Sequence, residues 1–245
     1  MRKLSQIFAI AQMMALPQLR SPVTYALIFT IPGMFLYLFW LVGGMGLGRH
    51  VLFGSLIAIP MNAGIIALPQ SIVAYKFRKL QDMYVASPVN QFIYLMGNGL
   101  ARLLFALPGI FFIGGILLWA HYMPVSALPV AIAVVLLSWA VGCALGFMLA
   151  SFISNVMVIS QIANLLGLLM VMLPPVSYPI ELVGARWRWL ALAVPSTSAA
   201  QLIKVASGVS KLNSPPFIIF SWLVLVGSCV VFLWLALSRS RWREC

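Results

Sequence analysis

The 245 residues are 63% hydrophobic and 7% charged, with a net charge of +12 and a mean hydropathy of +1.08. A soluble domain carries roughly a quarter charged residues, so a soluble fold is excluded. Charge-free runs of about 20 residues match a membrane-crossing helix, and the alternating ten-residue segments of a membrane barrel are absent. The basic residues sit in short clusters between apolar runs, so the charge answers to topology and anionic lipid, not nucleic acid.

The expected fold is all-α: an integral membrane protein with six transmembrane helices, an N-terminal interfacial helix, a short cytoplasmic helix and re-entrant half-helices outside. Residues 1–18 open with Arg2 and Lys3, and Leu4, Ile7, Phe8, Ala11, Met14 and Ala15 recur at helical spacing. That pattern predicts an amphipathic helix lying in the cytoplasmic interface. Residues 23–43 hold no charge and form the first expected crossing. The glycines of 44–48 follow no strand and lack the dinucleotide-binding spacing, so they read as a flexible turn. The second crossing covers 51–75 and contains Pro60 and Pro69, which predict a kinked helix whose neighbours satisfy its freed backbone groups.

Residues 76–91, KFRKLQDMYVASPVNQ, carry three basic residues and Asp82 between apolar stretches. Two helical turns fit before Pro88, which lacks an N–H and pushes Ser87 out of the α region. From Leu103 to Ile180 there is no Lys, Arg, Asp or Glu, enough for three crossings, placed at 103–122, 125–153 and 156–173. The segment 76–102 reads as the loop before them. Residues 181–208 regain charge. Trp187 and Trp189 suit an interface belt, the Pro195, Ser196, Thr197 break separates two short helices, and a Ser or Thr there can cap the second. Gly208 can end it. This reads as a hairpin dipping into the outer leaflet. The last crossing is 217–237, before a basic tail. Six crossings put ten of the fifteen Lys and Arg on the side of both termini and five opposite, which sets both termini and the 76–91 loop in the cytoplasm of a multi-pass plasma-membrane protein.

Asp82, Glu181 and Glu244 are the only carboxylate side chains, and none falls in an expected crossing. An intramembrane proton or sodium relay therefore has no acid to use. There is no GxxxxGK[ST] phosphate loop, no HExxH and no GxSxG. Two histidines, His50 and His121, do not make a zinc site, and three cysteines without CxxC spacing read as small hydrophobes. Catalytic, cofactor and metal sites are all expected to be absent. Among polar residues inside crossings, Asn62, Gln161 and Asn164 stand out, with Gln161 and Asn164 on one helix face. They line a translocation path or hydrogen-bond between helices. Gly142 and Gly146 form a small-xxx-small pair, read as tight helix packing.

Three local motifs resemble the membrane subunits of type-2 ABC exporters. Asp82-Met-Tyr-Val-Ala86-Ser87-Pro88-Val89 resembles the family's segment after the second crossing, with Asp82 where Glu is usual. Pro175-Val-Ser-Tyr-Pro179 followed by Trp187 and Trp189 resembles the exit of its fifth crossing. Ala193-Val-Pro195-Ser-Thr-Ser-Ala-Ala200 resembles its re-entrant break. The resemblance spans nearly the whole chain and implies a single permease domain, 1–245. It implies an exporter of drugs, lipids or polysaccharides that pairs with a second permease, identical or related. A separate nucleotide-binding subunit would hold the ATP and Mg, and Arg78, Lys79, Asp82, Ala86, Ser87 and Pro88 would couple to it. The competing classes are a non-transporting membrane scaffold and a membrane-embedded enzyme.

Overall fold

The computed structural model describes residues 2–19, 33, 34, 37, 41, 48–77, 90–172, 174–210 and 212–238. Among them every regular element is helical, because a backbone crossing hydrocarbon must bond to itself. Four helices are long and apolar enough to cross a membrane: Gly48–Lys76, Phe92–Trp119, Val125–Phe152 and Pro215–Ala236. Helix Val156–Met172 has 17 residues, roughly 25 Å at 1.5 Å per residue. Of the crossing expected over 23–43, only residues 33, 34, 37 and 41 are described.

Helix α1, Arg2–Leu19, packs along the start of α3, Gln91–Trp119. It buries Ile10, Ala11, Met14 and Ala15, while Phe8 is 63% exposed. The buried face keeps Ala11, Met14 and Ala15 of the expected stripe and adds Ile10, while Phe8 turns outward. Its partner decides this: α3 offers Gly97, where an added Cβ would stand 2.8 Å from Ile10 Cβ.

Helix α2 spans Gly48–Lys76 and contains a π-helical stretch, Ala63–Ala67. Pro69 lies two residues beyond it, and proline both removes a donor and crowds the carbonyl four residues back, here Ile65 within the stretch. The expected kink is thus a widened turn. At its lower end Lys76 Nζ donates to the Ala150 carbonyl at 3.3 Å.

The crossing expected over 103–122 is longer and starts earlier, at Gln91, so residues 91–102 are helix and not loop. Arg102 had marked the loop's end. It is instead 6% exposed inside α3, with Tyr75 of α2 and Cys143 of the next helix within electrostatic reach, so protein stands there in place of lipid. Asn98 Nδ2 donates to Tyr94 O at 2.9 Å, and Trp139 Nε1 donates to Gly99 O at 3.0 Å. Beyond Trp119, His121 adopts φ 56° in the turn before the 3₁₀ segment Val125–Ala127 and α4, Leu128–Phe152.

Helix α4 is the centre of the bundle, touching α2, α7 and α8. Gly142 and Gly146 press on the π-helical stretch of α2: an added Cβ at Gly142 or Gly146 would fall onto the Met61 or Gly64 carbonyl oxygen. The glycine pair is thus spent on packing within the chain. Helix α5, Val156–Met172, begins at Asn155, whose Oδ1 accepts from Met157 N at 2.9 Å and Val158 N at 3.3 Å. Two 3₁₀ turns follow, Ile180–Leu182 and Ala185–Trp187. Then come the short α6, Arg188–Leu192, α7, Pro195–Ala206, and α8, Pro215–Ser238.

Candidate functional site: a cleft between three helices and its capping turn

A cavity of about 540 Å³ opens between α2, α3 and α5, within the range of ligand pockets. Its wall is mainly aliphatic, with Phe105 from α3, and among the described residues no Asp, Glu, Lys or Arg lines it. The polar groups are Ser55 and Asn62 from α2, Asn164 from α5, and Ser177 from the turn beyond α5. Asn62 and Asn164, 102 positions apart in sequence, thus reach one cavity. Asn62 ends the α-helical half of α2 just before the π stretch. Its Oδ1 is buried without a hydrogen-bond partner among the described residues, and it faces Gly167, where an added Cβ would stand 3.0 Å from it. Gln161, one turn before Asn164, is exposed and does not line the cavity. One turn before Asn164 on the same face of α5, Ser160 Oγ accepts from Gln70 Nε2 at 3.3 Å.

The end of the cleft away from Lys76 is capped by the 174–178 turn and α7. A Cβ added at Gly54 of α2 would meet Ser177 Oγ at 2.7 Å and the Val176 carbonyl oxygen at 3.0 Å, so the turn lies flat on α2. Pro195 takes the first position of α7, behind an extended Val194, as proline's fixed φ favours. Ser196 and Thr197 are buried and do not cap the helix, which has no side-chain cap bond. The cap expectation fails because proline sets the start one residue ahead of them. Ser196 Oγ instead donates to Met170 O at 2.6 Å, tying α7 to the end of α5. At its far end Gly208 has φ +69°. Val209 N donates to Lys204 O at 2.8 Å and Gly208 N to Val205 O at 2.9 Å, the paired bonds of a glycine-terminated helix.

Lys204 is 1% exposed. Its Nζ donates to the carbonyls of Val176 at 2.7 Å, Tyr178 at 3.0 Å and Pro175 at 3.4 Å. Burial pushes its ammonium down to about 7, and the Glu181 carboxylate nearby offsets part of that shift. Glu181 Oε1 accepts from Ser210 Oγ at 3.0 Å, and Ser210 Oγ accepts from Gln201 Nε2 at 2.7 Å. Arg188 donates to the carbonyls of Val183 at 3.0 Å and Glu181 at 3.2 Å. Sequence reading counted Lys204 and Glu181 only as outer-side charges. The signal it passed over was composition: Ser-Thr-Ser-Ala-Ala around Gln201 and Lys204 is too small-residue-rich for a solvated helix. The residues Arg78, Lys79, Asp82, Ala86, Ser87 and Pro88 lie outside the described residues.

Apolar helices of crossing length, a central glycine-packed helix and a charge-free cleft define a polytopic helical membrane protein. The profile of ABC-2 family transporter proteins matches residues 3–238. The chain therefore belongs to the ABC-2 transporter family, as a membrane component. A search of curated proteins returns no match.

Proposed function

We propose that the chain is the permease subunit of an ATP-driven exporter, and that the cleft between α2, α3 and α5 is part of the path of an uncharged amphipathic or hydrophobic substrate. The carrying observation is the cleft's wall: mainly aliphatic, with two carboxamides and two hydroxyls but no charge among the described residues. Such a wall suits a drug-like or lipid-like molecule with a hydroxyl or amide to pair with Asn62 and Asn164; a polysaccharide, the third class the family resemblance implies, suits it less. Counting 23–43 and α5 gives six crossings, with both termini inside by the charge split and 181–208 re-entrant at the outer leaflet.

Energy comes from a separate nucleotide-binding subunit that carries ATP and Mg and docks on 76–91. The polar pair Gln161 and Asn164 is exposed on α5 among Leu165, Leu168 and Leu169. Amides are costly against lipid, which favours a second permease covering this face. The crossing expected over 23–43 is the other candidate cover. Intermolecular crosslinking of Gln161→Cys supports the paired permease, and crosslinking only within one chain refutes it.

The test is co-purification with a nucleotide-binding subunit, then ATPase assay with neutral amphiphiles in proteoliposomes. The expected results are a complex, substrate-stimulated hydrolysis and ATP-dependent transport. Asp82→Lys should keep protein level and permease pairing while weakening docking or uncoupling hydrolysis. Normal transport and docking in that variant would remove 76–91 as the coupling segment.

A further inference from the structure

We propose that Lys204 is the positioning residue of an outlet gate: its amine holds the 174–178 turn against α2 and so closes the outer end of the cleft. The proposal rests on the export reading for its purpose, though not for its test. The turn supplies Ser177 to the cavity wall and lies against Gly54 with no room for a methyl group. Anything leaving the cleft outward must displace this turn. Three of its carbonyl oxygens converge on one buried amine from α7, while α7 itself is anchored to α4 and α8. Displacing the turn therefore breaks those bonds and hydrates the amine.

The charged and titratable groups around Lys204 are few. Glu181 stands in the 180–182 turn, and His50 and Arg49 begin α2, with His50 within electrostatic reach of Lys204 and Glu181. Arg188 lies on α6, and α4 and α8 carry no Asp, Glu, Lys or Arg in their described spans. The closed site holds the amine near its titration point, at about 7, whereas a hydrated lysine titrates at roughly 10.4. The open state therefore binds more protons between these two values. Raising the pH above 7 favours the closed turn, and below 7 the balance is flat.

Val176 is fully buried on the turn and makes the reporter. Val176→Cys is placed in the full chain with Cys143→Ala, Cys229→Ala and Cys245→Ser, held in nanodiscs so that both faces meet a charged maleimide. No substrate, ATPase or transport is needed, so a failed gate and a failed export reading are separate results. Lys204→Met fills the same space and donates nothing. It should speed labelling about tenfold or more, because the three carbonyls lose their donor. Unchanged labelling would overturn the gate. If Lys204→Met does not fold, the profile with Lys204 in place decides. Relative to the exposed reference Ser126→Cys, labelling should fall about threefold or more from pH 7 to 9, and a flat ratio would overturn the gate. In folded Lys204→Met that pH dependence should vanish; its persistence would also overturn the proposal, since a merely structural lysine would not carry it.

Discussion

Helix α2 has two unlike flanks. Toward α4, Gly64, Gly142 and Gly146 bring two backbones so close that no methyl group fits at any of the three. Toward α3 and α5 the same helix leaves a cavity of about 540 Å³ with an unpartnered carboxamide oxygen at its edge. One flank is close-packed, as association in lipid requires where no hydrophobic drive between helices exists. The other forgoes that packing, which costs dispersion energy and earns no stability. The contrast teaches that α2 is a fixed strut on α4 whose far side is kept open. Substitutions should therefore damage the fold on the first flank and transport on the second.

The largest effect is expected at Gly146→Leu. Its side chain would drive into the Gly64 carbonyl and the Pro69 ring, and overpacking against backbone costs about 3 kcal/mol or more. Yield of monodisperse protein and its melting temperature should collapse. A normally folded Gly146→Leu protein would erase the difference between the two flanks.

Gly167→Ala comes next. Its Cβ would meet Ile66 Cδ1 at 2.5 Å and Asn62 Oδ1 at 3.0 Å, but Ile66 ends in a flexible ethyl group facing the cavity. The expected destabilisation is about 1 kcal/mol, read as a few degrees of melting temperature, with a larger proportional loss of transport. Stability loss as severe as at Gly146 would show that this flank is tight as well.

Asn62→Leu should have the smallest effect on the fold. Removing a buried acceptor that has no partner relieves a desolvation penalty of about 1 kcal/mol, so melting should hold or rise slightly while stimulation by hydroxyl-bearing amphiphiles drops. A marked fall in melting temperature would recast Asn62 as a helix-to-helix bond.

The readable and unreadable parts of the sequence divide along similar lines. Helix existence followed from hydropathy, and Gly208 and the 142/146 glycine pair announced their roles locally. The start of α3 did not, because Arg102 carries the usual mark of a loop and its burial near Tyr75 of α2 and Cys143 of α4 is a tertiary fact. The place of Ile10 on the buried face of α1 depends on where Gly97 lies, and the cavity depends on Asn62 and Asn164 meeting across helices. Lys204 was hidden for the same reason: the three carbonyls that hold it belong to a turn 26 to 29 positions earlier in the chain.

The most direct test of the central claim, that the open flank carries the substrate, is Asn164→Trp. This side chain lines the cavity from an exposed position on α5, so the indole can fill the cleft without displacing the core. In proteoliposomes with the nucleotide-binding subunit, ATP-dependent transport of a neutral amphiphile should fall at least about tenfold. Melting temperature and co-purification should match the parent protein. Undiminished transport by that folded, fully assembled variant would contradict the account.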